Sequence, residues 1–470
     1  MKIYFNGAAQ TVTGSQCLLE VNNHLLLLEC GLFQGKRAEI YQRNQNFSFD
    51  IRRLDAVILS HTHIDHSGNL PNLVKQGYHG PIYATLPTTL LADIMLQDCG
   101  HVQEENVSYA NYKRAKRNEP LMEPLYTAAD GAQVAQYLKP VHYHEPFQPI
   151  PGVQAQLVDA GHLLGSAAVV LDIEEHGRWR RLWFSGDIGR RDKPILCDPV
   201  QPYDADYLIM ECTYGDKSHQ DPDAAYVEFR DVVNRTIQRG GRVVIPSFAV
   251  GRTQELVYYL NQMVLRGEVP RVPVFVDSPL AVNASRIFQK MENDTEYQVY
   301  FSPEAREFIR DGRRDAFTFD GLTYIQDVEE SKKLNDRKDP LIIISAAGMA
   351  ETGRIQHHLR WAIEDKKNTI VIVSWQAPDT LGRRLADREK RIKIFGEVFD
   401  RRAEIATIGG LSAHAGQDFL LEYALASRQR LKGIFLIHGE PPIAGVFQHK
   451  LVEAGAPPAA YPESGCCVEL

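Results

Sequence analysis

The chain has little cysteine and no CxxC pair: seven thiols stand scattered at 17, 30, 99, 197, 212, 466 and 467. An odd number without such a pair fits a reducing compartment, and Cys30 and Cys212, at the ends of apolar runs, read as small buried hydrophobes. Long hydrophobic stretches are missing as well. The strongest, 25–28 and 341–344, fall far below the length of a membrane span. The start MKIYFNGAAQ lacks the apolar core of a secretory leader, so a cytoplasmic protein without a membrane partner is expected. Positive charge is not in excess either, since 52 Lys and Arg face 60 Asp and Glu for a net charge of -8. That argues against nonspecific coating of DNA, although an acidic protein can still carry a local basic groove.

At 470 residues the chain exceeds one ordinary core and suggests about three units, or two large ones. Short strands are expected over 2–5, 17–21, 25–29 and 54–59, then a helix over 85–119 that carries the basic run Lys113, Arg114, Lys116 and Arg117. Further strands over 153–158, 167–173, 181–184 and 207–210 each end in a polar turn, as when two sheets supply one site from their edges. From about 213 the rhythm changes. Helices over 224–239, 254–266, 281–292 and 353–365 alternate with strands over 242–245, 272–276, 341–345 and 369–374, which predicts an α/β unit with a mostly parallel sheet. After 391 short strands return, followed by a helix from 418 and a strand over 433–437 that ends at His438. His438 suits the same chemistry as the histidines near residue 61, so the pattern allows the middle unit to be inserted into the first.

The sharpest feature is LSHTHIDHSGNLP, which places His61, His63, Asp65 and His66 in the turn beyond a strand. Imidazole and carboxylate groups crowded this closely lose solvation unless something cationic compensates, and a metal is the natural compensator. His61 and His63 can address one ion while Asp65 and His66 address a second. The other histidines, including the His357 and His358 pair in a helical run, lack such neighbours and are expected in core or surface roles.

On these residues the chain resembles the metallo-β-lactamase fold hydrolases. The resemblance implies an αββα sandwich, a further ligand at His162 in DAGHLLGS, and a carboxylate shared by two metals at Asp187 in SGD. ECTYGD at 211–216, GRTQE at 251–255, SAAGM at 345–349, SAHA at 412–415 and FLIHGE around His438 resemble the beta-CASP subgroup, whose members process nucleic acids. This likeness covers nearly the whole chain. It implies a metallo-β-lactamase domain in two parts, 1–212 and 398–470, around an inserted beta-CASP domain at 213–397. By pattern it is similar to prokaryotic ribonucleases and to the endonuclease subunit of messenger RNA cleavage and polyadenylation machinery. Glu29 in LLLECG departs from the superfamily, which more often has Asp there, and is expected to accept a hydrogen bond from a ligand or a backbone group behind the site.

The resemblance further implies two Zn²⁺ per chain, one on His61, His63, His162 and Asp187, the other on Asp65, His66, Asp187 and His438. A hydroxide bridging ions roughly 3.5 to 4 Å apart would attack phosphorus in line. His414 in SAHA is implied as the proton donor to the departing sugar oxygen, with Glu211 orienting it and Asp65 counted with both among the catalytic groups. Taken alone, His414 also reads as a turn histidine before a helix. In the inserted domain Arg252, Thr253, Gly348 and Met349 are candidates to hold phosphates, and Trp375 and Gln376 to contact bases. Each of these positions also reads as an ordinary turn. The segment 383–393 sets six basic residues against Asp387 and Glu389, and reads either as the lining of a single-strand channel or as a solvated helix face.

The preferred function is a zinc-dependent ribonuclease on single-stranded RNA, mainly endonucleolytic with 5′ exonuclease activity, compatible with a homodimer and with RNA-processing protein partners. A DNA phosphodiesterase of the same fold is the first alternative. A small-ester or thioester hydrolase would leave the insert and SAHA without a use. A non-catalytic scaffold should have lost ligands, whereas all seven are present.

Overall fold

The computed structural model describes residues 1–35, 37–219, 221–312, 315–377 and 379–470. They fall into two compact units, the first made of Met1–Arg191, Asp198–Ser218 and His414–Leu470, the second of Asp192–Cys197 and His219–Ala413.

The first unit holds two seven-stranded sheets. One runs in the order Cys466–Glu469, Lys2–Phe5, Cys17–Val21, His24–Leu28, Leu54–Ile58, Ile82–Thr85 and Leu138–Val141. The other runs Ala459–Ala460, Gly433–Ile437, Tyr207–Glu211, Arg178–Phe184, Ala167–Glu175, Val153–Asp159 and Phe147–Ile150. Runs such as LLLL and AAVVL are continuously apolar because both of their faces are covered. Leu26, Leu28 and Ile58 of one sheet meet Leu157, Val169, Phe184 and Ile437 of the other in a common core. The alternate residues Leu25, Leu27 and Val57 pack outward against Leu70, Leu73, Ala92 and Leu96 of helices. On the opposite side Val170, Trp183 and Met210 pack against Phe419, Tyr423 and Phe447. This is the αββα sandwich. Its helix Leu86–Ala115 starts at Thr85, whose hydroxyl accepts from the Thr88 N–H as an N-cap.

The second unit has one six-stranded sheet in the order Leu322–Ile325, Val274–Asp277, Ile342–Ser345, Val243–Pro246, Thr369–Ile372 and Glu404–Thr407. Every one of its pairings is parallel. The expected boundary at 397 cuts this sheet, because Glu404–Thr407 pairs with Thr369–Ile372 at its edge. The sheet is also longer at its other edge, where Leu322–Ile325 follows the helix Pro303–Gly312 in a stretch for which the sequence suggested no elements.

A buried polar network ties three elements of this unit together. The Asp277 carboxylate accepts from Ser331 Oγ at 2.5 Å, His358 Nε2 at 2.6 Å and Arg354 Nη1 at 2.7 Å. Burial alone would raise the Asp277 pKa, but His358, Ser331 and Arg354 outweigh it and hold the carboxyl below its ordinary value. Asp277→Ala leaves those donors buried without their acceptor and should destabilise the unit by about 3–5 kcal/mol, read as a lower urea midpoint. Because the folded carboxyl titrates below the unfolded one, the ion-pair contribution is complete above about pH 4. It falls away as the pH drops through the lowered folded value.

Candidate metal centre

Backbone geometry delivers the site residues from strand ends of the first unit. His61 and His63 follow strand Leu54–Ile58, and the expected turn beyond it closes into a one-turn helix, Ile64–Ser67, that presents Asp65 and His66. Four residues are too few for a helical period to show in sequence. The Cys30 N–H donates to His66 O and the Ser15 N–H to Asp65 O, so the turn is pinned by main chain on its far side. Glycine is required there: a Cβ on Gly31 would lie 1.7 Å from Asp65 O. His162 sits in the loop after Val153–Asp159, Asp187 beyond Arg178–Phe184, Glu211 at the end of its strand, and His438 directly after Gly433–Ile437. The His438 backbone takes φ 50°, and its N–H donates to Ala8 O.

These side chains converge in two sets. His61, His63, His162 and Asp187 present ligand atoms within 4.8 Å of one another, as do Asp65, His66 and His438. In the first set His61 Nε2 lies 3.1 Å from His63 Nδ1, and His63 Nδ1 lies 3.2 Å from His162 Nε2. Asp187 Oδ2 stands 3.4 Å from His61 Nε2 and 3.6 Å from His162 Nε2. In the second set His66 Nε2 and His438 Nε2 are 3.2 Å apart, with Asp65 Oδ2 3.4 Å from the latter. The other oxygen of Asp187, Oδ1, lies 3.2 Å from His66 Nε2. One carboxylate therefore turns an oxygen to each set.

Such crowding of ring nitrogens is a poor hydrogen-bond arrangement, since each contact can use one proton and several lone pairs face the same point. It suits a cation. Four donors about 2.05 Å from a tetrahedral zinc lie roughly 3.3 Å from each other, close to the separations in the first set. The donors are imidazole and carboxylate, without thiolate, which also suits zinc.

Electrostatics agree with ligand-ready rings. Burial, with His66 nearby, lowers the His61 pKa, while burial and His61 bring His63 down to about 3. His162 is lowered well below its usual value by burial and by His414. Neutral imidazole is the ligating form. Burial would raise the Asp187 carboxyl, yet His438, His66 and His414 hold it well below the ordinary range. Burial would lower the His66 pKa too, but the carboxylates of Asp187, Glu29 and Asp65 outweigh it and raise it well above its ordinary value.

His414 and Glu211 form a third group with Asp187. The His414 Nδ1–H donates to Glu211, whose two oxygens lie at 3.0 and 3.2 Å. Glu211 is fixed in turn by accepting from the Ile188 N–H at 2.7 Å and the Thr213 N–H at 3.2 Å. Burial would lower the His414 pKa, but the carboxylates of Glu211 and Asp187 raise it to about 9. Its Nε2 is then the free ring atom, 3.9 Å from Asp187 Oδ2.

Glu29 is wholly buried, accepts from the Ser60 N–H at 2.8 Å through Oε1, and turns Oε2 to within 3.4 Å of His66 Nδ1. Two residues that the sequence did not suggest stand behind the candidate ligands. Ser60 Oγ lies 2.9 Å from His61 Nδ1, and Thr213 Oγ1 lies 3.0 Å from His438 Nδ1, so each hydroxyl fixes which ring nitrogen faces inward. Their only sequence signal is position: Ser60 precedes the first histidine, and Thr213 lies inside ECTYGD.

The six substrate-contact candidates lie in the second unit, in segments that follow the parallel strands. Arg252 is buried with Nη1 2.5 Å from Glu255 Oε2, and the Thr253 hydroxyl donates to Phe248 O at 2.7 Å. Gln376 Nε2 donates to Gly348 O, and Met349 O accepts from the Gly382 N–H. Trp375 is 46% exposed. The segment 383–393 spends part of its charge locally, with Arg383 on Asp387 and Arg384 on Glu389.

Two sheets that bring histidines and a shared carboxylate to one point define a metal-dependent hydrolase of the metallo-β-lactamase fold. Family models match 18–176 as a metallo-beta-lactamase superfamily domain, 253–385 as a Beta-Casp domain and 399–462 as a Zn-dependent metallo-hydrolase RNA specificity domain. The chain is 37% identical over 440 residues to Ribonuclease TTHA0252 of Thermus thermophilus, spanning 94% of this chain and 93% of the relative. It belongs to the metallo-beta-lactamase/beta-CASP ribonuclease family. It is also 30% identical to Transcription termination factor FttA of Methanothermobacter thermautotrophicus, across 91% of this chain and 65% of that protein, so it spans about two thirds of that relative's length. A crystal structure of a protein of unknown function from Enterococcus faecalis V583 shares the fold over 100% of this chain, with a TM-score of 0.53 and 11% identity. Among the described residues no helix is long and apolar enough to cross a membrane.

Proposed function

We propose that the chain hydrolyses phosphodiester bonds of single-stranded RNA with two zinc ions, mainly by internal cleavage and also from the 5′ end. One observation carries the reading: Asp187 turns Oδ2 to His61 and His162 and Oδ1 to His66, so two donor sets share one carboxylate. His61, His63, His162 and Asp187 would hold one ion, and Asp65, His66, His438 and Asp187 the other. Zinc bound there supplies a Lewis acid and water activated near neutral pH. RNA as the substrate is supported by likeness to a ribonuclease over nearly the full length of both chains.

The chain's own residues do the rest. Ser60 and Thr213 hold the rings of His61 and His438 with their ligating nitrogens inward. Glu211 accepts from His414 Nδ1, which leaves Nε2 to carry a proton to the departing sugar oxygen. Asp65 stands beside His438 and counts among the groups that carry the reaction as well as the ligands. Arg252, Thr253, Gly348, Met349, Trp375 and Gln376 remain the candidates for strand contact in the second unit.

Matched 5′-labelled single-stranded RNA and DNA, each with and without chelator, test this reading. Internal cuts in RNA that chelator abolishes are expected, with DNA left intact. Equal cleavage of DNA would favour the general phosphodiesterase, and no cleavage of either by zinc-loaded protein would favour a scaffold.

A further inference from the structure

The helix Leu86–Ala115 runs far beyond what its core contacts require. Its buried residues end at Gly100, and some four turns continue with little apolar cover. A helix usually extends as far as its apolar face finds a partner, so those turns call for another use. One side of the extension is held down by polar contacts to the returning chain: Asn111 exchanges hydrogen bonds with the main chain of Met122.

The opposite side presents Tyr109, Tyr112, Lys113 and Lys116, which share one face at helical spacing, with Arg117 next to them. Both tyrosines are 61% exposed, and such large apolar rings in solvent need a reason. Each has a cation beside it: Lys113 Nζ lies 4.2 Å from the Tyr109 ring centroid, and Lys116 Nζ, which donates to the Tyr112 hydroxyl at 2.7 Å, lies 4.1 Å from that ring's centroid. Residues 106–118 contain four basic side chains and no acid, in a chain whose net charge is -8. Of the nearest acids on either side, Glu105 stands beside His101, and Glu119 pairs with Arg114, one of the four cations and not one of the two lysines beside the tyrosines.

We propose that this helix face is a second binding surface for single-stranded RNA, outside the catalytic centre. The proposal rests on the RNA reading above. Bases would stack on the tyrosine faces left open by the lysines, while the ammonium groups neutralise neighbouring phosphates. Aromatic rings interleaved with cations fit a flexible polyanion carrying π-faces. A membrane-lying helix would instead present aliphatic residues and Trp or Phe along that side. The same helix joins the surface to the centre. Near its start Met95 Sδ accepts from Thr62 Oγ1, between the two ligand histidines His61 and His63, at 3.5 Å. Tyr109 and Lys116 lie 14 and 21 residues further on, about 20–30 Å along the axis. A long RNA could reach both places, and a short one only the centre.

The test uses the full-length, zinc-loaded protein with unstructured RNA of two lengths. Y109A/Y112A should weaken binding of the long RNA by at least about tenfold and raise its KM, leaving cleavage of the short RNA unchanged. Y109F/Y112F keeps the rings and should bind as the parent does. K113Q/K116Q should lower the slope of log affinity against log salt for the long RNA by about 1.4. Unchanged affinity for long RNA in Y109A/Y112A would overturn the proposal, as would equal losses on long and short RNA. Loss of binding to phosphatidylserine vesicles with RNA affinity intact would assign the face to a membrane instead. If the parent protein binds long RNA and cuts neither length, the ribonuclease reading fails while the surface stands.

Discussion

Asp187→Ala should abolish zinc binding at both sets and reduce RNA cleavage by roughly 10⁴-fold or more, the loss of several kcal/mol of charge stabilisation together with the activated water. The size of the effect follows from geometry. His61, His63 and His162 keep their convergence without Asp187, but their set loses its sole carboxylate, and the second set loses the oxygen beside His66. Asp187→Asn keeps the shape and lacks the charge, so it separates packing from ligation: it should fold like the parent and still fail to hold metal. Zinc per chain by elemental analysis, beside urea unfolding, checks this. Full metal content with activity lost would move Asp187 from ligand to substrate positioning.

His414→Ala should behave differently. Zinc content and RNA affinity should stay near those of the parent, while the single-turnover cleavage rate falls by roughly 10²-fold or more, the range for a positioned general acid. The reason lies in its contacts, since His414 bonds Glu211 through Nδ1 and groups with Glu211 and Asp187, its Nε2 3.9 Å from Asp187 Oδ2, and not with the histidines of either set. A substrate whose leaving atom is sulfur needs little protonation. It should rescue His414→Ala and leave Asp187→Ala inactive. Equal loss on oxygen and sulfur substrates with zinc intact would make His414 a positioning residue, and loss of zinc would place it among the ligands.

Much of this site was legible in the sequence because the chemistry is local. His61, His63, Asp65 and His66 stand within six residues, and no ordinary packing need explains four such groups together. His162 and Asp187 are different: each is a lone polar residue after an apolar strand, and only the resemblance of the surrounding stretches singles them out, whereas His438 at the end of a late strand already suits the chemistry of the histidines near residue 61. Ser60 and Thr213 escaped notice because a hydroxyl beside a ring carries no pattern of its own. Helix Ile64–Ser67 was too short for a period to appear. The strand Glu404–Thr407 lies beyond the expected boundary at 397, since four residues followed by a polar turn look the same at the edge of either sheet. The stretch around Pro303–Gly312 and Val328–Asp336 is dense in charge, and its helices bury a narrow stripe, so it gave no clear signal. The partners of Asp277 come from two helices distant in sequence, and only the folded sheet brings Ser331, Arg354 and His358 to one carboxylate.

The most direct test of the account is a zinc titration of metal-stripped protein, followed by cleavage of labelled single-stranded RNA. Activity should be absent without metal and should rise to a plateau at about two equivalents per chain, as two donor sets joined through Asp187 require. Undiminished cleavage by the stripped protein, or a plateau at one equivalent, would contradict it.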